Sequence, residues 1–541
     1  MSDPISTTDQ PKAAQLDAVI VGAGFSGIYM LHLLREQGLD ARVIEAGSGV
    51  GGTWHWNRYP GSRCDVESLM YSYSFSEELE QEWQWSARYA TQPEILRYLD
   101  HVTDRFGLRS GMQFDTRVTA ATFDEESARW LVETDRGDRV SARFCIMATG
   151  CISHPQIPDI EGIGTFAGES YYTALWPHED VDLMGQKVAV IGTGSTGVQL
   201  IPVVAAVAEQ LTVFQRTPNY AIPAWDGPLT SEAALEVKQQ YPDLRSQARV
   251  TSTCWPLEVS ETSALEPKRD EVIAELEKWW QEGGFGFLFA YSDFMTSPEA
   301  NEIAAEFVRD KIRSRVDDPV VAELLCPDDH PFGTKRLCVD SDYYETYNRD
   351  NVTLVNVRET PIEEITPAGI RTADAEYDID AIILATGFDA MTGALFNIDI
   401  RGRGGIALRE KWAPGPQAYL GLGTAGFPNL FTITGPGSPS VLSNMVVSIE
   451  QHVEWVAECI AYLGTHGIGT IEAEAAAEEA WVEHVIEAAH ETLLPQANSW
   501  YVGANVPGKP RVFTPYVGGC GAYRKKCDEV AARGYEGFAL V

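Results

Sequence analysis

Two glycine-rich hexads carry the chemistry that can be read first. GAGFSG at residues 22–27 and GTGSTG at residues 192–197 both place glycine at positions one, three and six. An apolar, strand-like run precedes each, ending at Val21 or Ile191, and a helix-like run follows, through Leu34 or over residues 198–208. Strand, turn and helix in that order form the context in which such a hexad binds a dinucleotide. The first glycine (Gly22, Gly192) makes the tight turn, and the second (Gly24, Gly194) lets the backbone approach a pyrophosphate. The third (Gly27, Gly197) allows close strand–helix packing, and the helix N-terminus supplies N–H donors to the phosphates.

The loops differ where a ribose would sit. Glu45 closes the next strand-like run, 23 positions after Gly22 (45 − 22 = 23). The same offset from Gly192 falls on Gln215 (192 + 23 = 215), with Arg216 next. A carboxylate suits a ribose hydroxyl pair and repels a 2′-phosphate, whereas Gln215 and Arg216 can accept one. A charge-assisted hydrogen bond contributes about 1.5–3 kcal/mol, a preference of about tenfold to a hundredfold for NADPH over NADH. The first loop therefore suits the ADP half of FAD and the second suits NADPH, so the chain brings a reductant to a flavin. FCIMATG (144–150) and IILATG (382–387) read as buried strands that return the chain between the nucleotide domains, with glycine where a side chain would obstruct.

Positioning two such loops calls for an α/β fold with two Rossmann-like dinucleotide-binding domains and a helical insert in the NADPH domain. The 541 residues, 44% hydrophobic and 22% charged, are sufficient for that. Ile303, Phe307, Val308 and Ile312 fall on one side of a helix over residues 301–316 and mark the insert. Residues 188–208 carry no charge and are long enough to span a bilayer, but Gly192–Gly197 interrupts them as a β-turn-α pattern. A net charge of −37 argues against nucleic-acid and anionic-membrane partners. The nine scattered cysteines form no C-x-x-C pair, so neither a disulfide framework, a redox dithiol nor a zinc site is expected, and no histidine spacing indicates a metal. That cysteine usage fits a reducing cytoplasm, and the N-terminus, with neither a basic region nor an apolar run, is expected to be a short disordered tail and not a signal peptide.

Further residues carry a resemblance. The connector FAGESYYTALWP (166–177) resembles the fingerprint of type I Baeyer–Villiger monooxygenases, and GGTWHWNRYPGSRCD (51–65) resembles that family's other long signature. DVESLMYSYSFS, FGTKRL, ATGFDAMTGALF, GPGSPSVLSNM and SWYVGANVPGKP are similar to the phenylacetone and steroid monooxygenase branch. The likeness runs from about Asp17 to Val541. One position departs from it: Tyr172 stands where the family carries histidine, at a site remote from the flavin ring and associated with domain movement. Modest effects on cofactor exchange are expected there.

The resemblance implies a reaction, insertion of one oxygen atom of O2 beside a ketone carbonyl to give an ester or lactone, with NADPH, FAD and a C4a-peroxyflavin. It places the required permanent cation at Arg336 and its partner at Asp65. Flavin contacts carried over are Gly22, Gly24, Gly27, Glu45, Gly52, Trp54, Asp65 and Tyr71. The nicotinamide nucleotide is expected at Gly192, Gly194, Ser195, Thr196, Arg216, Thr217 and Lys335, the last three on its 2′-phosphate. Trp500 lies in a Gly- and Pro-containing segment suited to a lid, and Ser440, Val441 and Leu442 match positions shaping an aryl or bulky ketone pocket. The implied organisation is a tail (1–16), an FAD domain (17–145 and 386–541), an NADPH domain (146–222 and 331–385) and the insert (223–330), in a monomer. The loops alone also fit a flavin N- or S-oxygenase, or a flavoprotein redox sensor without ketone turnover.

Overall fold

The computed structural model describes residues 14–541. The expected tail therefore lies outside the described residues as far as position 13. Residues 14–16, assigned to it above, instead begin the first strand, where Ala14, Gln15 and Leu16 register with Val140, Ser141 and Ala142.

Two sheets repeat one plan. In the first, Leu430–Thr432, Arg139–Met147, Ala14–Val21, Ala41–Ile44 and Met112–Gln113 lie side by side, all parallel. In the second, Glu169–Tyr172, Ala381–Leu384, Lys187–Ile191, Gln210–Gln215 and Val352–Asn356 do the same. In both, the strand entering the glycine loop is central. Its flanking strands are near-continuous apolar runs because parallel strands between helical layers are buried on both faces. Each parallel sheet is accompanied by an antiparallel meander, Val118–Asp124 with Arg129–Thr134 and Arg139–Met147 in one case. In the other it is Ile362–Thr366, Gly369–Thr372 and Glu376–Asp378.

The chain leaves the first sheet after Met147 and returns after Leu384. The crossings are equivalent: Ala148 N–H donates to the Val21 carbonyl at 3.0 Å, and Ala385 N–H to the Ile191 carbonyl at 2.9 Å. Gly150 and Gly387 have φ of +73° and +81°. A Cβ on Gly387 would meet nothing within 4 Å, so backbone conformation, not the crowding expected above, requires glycine there. The charge-free stretch 188–208 resolves into the strand Lys187–Ile191 and the helix Ser195–Ala205. Among the described residues no helix is long and apolar enough to cross a membrane.

Residues 223–330 are helical, with Ser231–Gln239, Tyr241–Ala248, Arg269–Glu282, Pro298–Arg315 and Pro319–Leu325. Phe307, Val308 and Ile312 are buried, and Ile303 packs beside them. Trp280, Phe287 and Phe307 share one core with Val188 and Val190 of the second sheet and Leu200 of the helix that follows its glycine loop, which fixes the insert to that layer. Its far side is tied to the first domain, where Arg245 donates to Glu80 Oε1 at 2.8 Å and to Ser72 Oγ at 2.7 Å.

Candidate active site

The first loop leaves no room for a side chain at Gly22 or Gly27. A Cβ on Gly22, whose φ is +108°, would lie 2.5 Å from the Ala148 carbonyl oxygen, and one on Gly27 would lie 1.9 Å from that of Gly22. Gly24 faces Gly52 of the second signature, and a Cβ on Gly52 would sit 2.9 Å from the Gly24 Cα. The helix Phe25–Glu36 begins at Gly24 without a side-chain cap and without acid in its first turn, so its leading N–H groups suit a diphosphate. Glu45 is buried at the next strand's end, accepting from Ala23 N–H at 2.7 Å and Gly47 N–H at 2.6 Å. Burial raises its carboxyl, against those two donors. Trp54 Nε1 donates to Tyr71 Oη at 3.2 Å, so both expected aromatic contacts stand together beside the loop.

The second loop repeats this. A Cβ on Gly192 (φ +114°) would lie 2.3 Å from the Ala385 carbonyl oxygen, while one on Gly194 would meet nothing within 4 Å. The helix Ser195–Ala205 likewise lacks a side-chain cap and first-turn acid. Ser195 Oγ lies 3.4 Å from Cys338 Sγ, and Thr193 Oγ1 donates to the Thr217 carbonyl at 2.9 Å. Gln215 does not serve as expected. It is buried, and its Nε2 donates to the Leu324 carbonyl at 2.7 Å, so only Arg216 of that pair is exposed. Strand alternation explains this, because successive side chains point to opposite faces. This helix also docks on the first domain: Gln199 Oε1 accepts from Tyr59 Oη at 2.9 Å.

Arg336 stands between the loops. Its Nε and Nη2 donate to Asp65 Oδ2 and Oδ1 at 2.9 and 2.8 Å, and its Nη1 donates to the Val441 carbonyl at 2.9 Å. The guanidinium lies over the Phe285 ring, 4.7 Å from its centroid. Burial would lower the Arg336 pKa, but Asp65 and Tyr501 more than offset this and hold it above its ordinary value. The backbone carbonyl of Arg336 accepts from Asn219 Nδ2 at 3.2 Å, which anchors it beside the second loop.

Ser440–Leu442 forms a short 3-10 turn that presents Val441 to Arg336. Ser440 is fully buried with φ +43°, and its Oγ lies 3.1 Å from Cys151 Sγ at the first domain crossing. Trp500 packs against the apolar cluster that holds Val441 and Tyr501, its ring 4.3 Å from that of Tyr501, and Leu442 packs against the same cluster, so the expected lid residue and the expected pocket turn share one core. Tyr172 ends the edge strand of the second sheet opposite Leu384. The connector instead reaches the first domain through His178, whose ring lies 5.0 Å from that of His55. Burial, His178 and Arg58 lower the His55 pKa to about 4.

Sequence reading missed Phe285, Tyr501 and Cys151, which meet the site through side chains far apart in sequence. Arg358, which donates to Thr217 Oγ1 at 3.3 Å, was missed too. Its signal was available, a cation just after the strand adjacent to Gln215. Among the described residues no cluster of three or more His, Cys, Asp or Glu gathers as a metal site.

Residues 19–245 match the pyridine nucleotide-disulphide oxidoreductase family. Over 526 residues, 96% of each chain, the protein is 43% identical to a Baeyer–Villiger monooxygenase of Pseudooceanicola batsensis. An oxidised steroid monooxygenase bound to NADP superposes with a TM-score of 0.94 at 54% identity, over 98% of this chain and 100% of that one. OTEMO in complex with FAD and NADP gives a TM-score of 0.95 at 44% identity, again over 98% and 100%. Likeness of this depth along the whole of each chain makes this protein a member of the Baeyer–Villiger monooxygenases, flavoproteins that use FAD and NADPH to turn ketones into esters or lactones.

Proposed function

We propose that the protein oxygenates aryl or otherwise bulky, cyclic ketones, with Arg336 as the cation that steadies negative charge during oxygen insertion and Asp65 as the group that holds it. The carrying observation is the set of three hydrogen bonds that fixes Arg336 between the two nucleotide loops and the Ser440–Leu442 turn. FAD, held by Gly22, Gly24, Gly27, Glu45, Gly52, Trp54, Asp65 and Tyr71, supplies the oxygen-transfer chemistry when bound, with NADPH as reductant and O2 as oxidant. NADPH is assigned to Gly192, Gly194, Ser195, Thr196, Arg216, Thr217 and Lys335.

A guanidinium has five N–H groups. Asp65 and Val441 engage three of those of Arg336, and the other two, one on Nη1 and one on Nη2, are shared between the Tyr501 hydroxyl and an oxyanion. Because Asp65 and Val441 fix the fork beforehand, little reorganisation is needed as charge develops. Phe285 covers one guanidinium face, and the Trp500–Tyr501 segment packs against the pocket turn; both limit access of water, which strengthens the interaction.

Aerobic NADPH oxidation with phenylacetone, cyclohexanone, a long-chain ketone and a steroid ketone tests this reading, with product mass recorded in parallel. Ketone-dependent turnover giving an ester one oxygen heavier supports it, with the aryl or bulky ketones fastest. Peroxide formation that no ketone alters refutes it. We also read the chain as a cytoplasmic monomer: all nine cysteines are free and buried. Light scattering measures the mass.

A further inference from the structure

The corner of the second loop assigned to the 2′-phosphate holds more charge than Arg216 and Lys335. The strand Val352–Asn356 lies beside Gln210–Gln215 with Asn356 opposite Gln215, and Val357 N–H donates to the Gln215 carbonyl at 2.9 Å. Arg358 therefore leaves the carboxyl edge of the sheet next to Arg216, where its Nη2 reaches Thr217 Oγ1 at 3.3 Å. Burial pushes the Lys335 ammonium below its ordinary range; Asp329 opposes the shift, and the Arg358 and Arg216 charges add to it. These three cations share one corner.

A carboxylate projects into it. Asp329 Oδ2 pairs with Arg358 Nη2, while its Oδ1 lies 4.0 Å from Lys335 Nζ and 2.5 Å from His330 Nδ1. Arg216 has no hydrogen-bond or ion-pair partner among the described residues. Burial would raise the Asp329 carboxyl, but the His330 hydrogen bond and the Lys335, His330 and Arg358 charges bring it down to about 2. It is therefore anionic at any working pH. One anion thus already bridges two of the cations a 2′-phosphate would use, and two anions cannot share them without repulsion.

We propose that Arg358 is a further contact for the 2′-phosphate and that Asp329 competes internally for that phosphate, holding Lys335 and Arg358 until the nucleotide displaces it. The proposal rests on the reading above that Arg216, Thr217 and Lys335 receive the 2′-phosphate. A phosphate carries about −1.5 to −2 and three acceptor oxygens, so it outcompetes a single carboxylate for arginine and lysine. NADH presents a neutral hydroxyl at that position and has nothing with which to displace Asp329. The two residues thus act in opposite directions on NADPH and leave NADH unaffected. Asp329 moderates NADPH affinity, which favours release of the spent nucleotide.

Calorimetric titration of the FAD-loaded, full-length protein with NADP+, NAD+ and 2′,5′-ADP tests this without reference to turnover. Asp329→Asn is expected to tighten NADP+ and 2′,5′-ADP about tenfold, the size of one charge-assisted contact, with NAD+ unchanged. Arg358→Gln is expected to weaken the same two ligands about tenfold, again with NAD+ unchanged. Weaker NADP+ binding by Asp329→Asn would show that the carboxylate orients the cations, and overturns the proposal. So does an equal change in NAD+, which would report a structural disturbance. Asp329→Ser serves as the second variant if Asp329→Asn loses FAD. Arg216→Gln separates the two levels of inference: if it weakens NADP+ alone while the Asp329 and Arg358 variants match the parent, only the proposal falls. If Arg216→Gln has no effect on NADP+, the 2′-phosphate reading falls and the proposal with it.

Discussion

Arg336 and Asp65 are 271 positions apart in the chain, yet they meet as a two-point pair, Nε to Oδ2 at 2.9 Å and Nη2 to Oδ1 at 2.8 Å. Asp65 ends the signature that also packs Gly52 against Gly24, so one segment both closes the first nucleotide loop and holds the cation. Arg336→Lys keeps the charge and loses the fork. It is expected to lower ketone oxygenation by about 10²–10³-fold, the cost of removing one oriented donor set. NADPH oxidation should persist and appear as hydrogen peroxide, measured against ester formation.

Gly22 and Gly194 occupy similar loops but differ in the space around them. Gly22→Ala places a Cβ 2.5 Å from the Ala148 carbonyl at φ +108°, so a poorly folded protein with little FAD is expected. Gly194→Ala meets no atom within 4 Å, so the protein should fold and keep its FAD. Its methyl would instead occupy space left for the pyrophosphate, weakening NADP+ by about tenfold or more. Flavin absorbance and NADP+ titration of both variants measure the difference.

Glu450 is buried, accepts from Ser74 N–H at 2.5 Å, and titrates at about 7, raised by burial against the Ser74 hydrogen bonds, with Glu454 adding to the rise. A carboxyl whose folded value lies above its unfolded one contributes stability below the unfolded value and loses it as pH rises through the folded one. Stability should therefore fall between about pH 4.5 and 7, by on the order of 3 kcal/mol for this group. Glu450→Gln is expected to flatten that slope and to raise the melting temperature at pH 8, measured by calorimetry from pH 5 to 8.

Tyr172 packs against the apolar cluster that contains Ile191 and Leu384, and its hydroxyl has no hydrogen-bond partner among the described residues. Tyr172→His should change NADP+ affinity and turnover by less than about threefold. A large gain in ester formed per NADPH consumed would instead assign the position a role in coupling.

Local order in the sequence determined the two loops. Glycine spacing, apolar strands and the change from Glu45 to Arg216 are properties of contiguous residues, and they implied two Rossmann units, FAD and NADPH. The insert was legible for the same reason, since helical periodicity needs only its own segment. The resemblance supplied Arg336 and Asp65 but not the way they meet. Gln215 shows why offset alone is insufficient: strand alternation turned it into the core and left Arg216 outside. Tertiary structure alone decided that Phe285 covers Arg336, that Val441 offers it a carbonyl, and that Arg358 meets Asp329 beside Thr217. These partners come from separate elements, and a contact between distant segments is fixed by how sheets and helices pack, not by the spacing of residues along the chain.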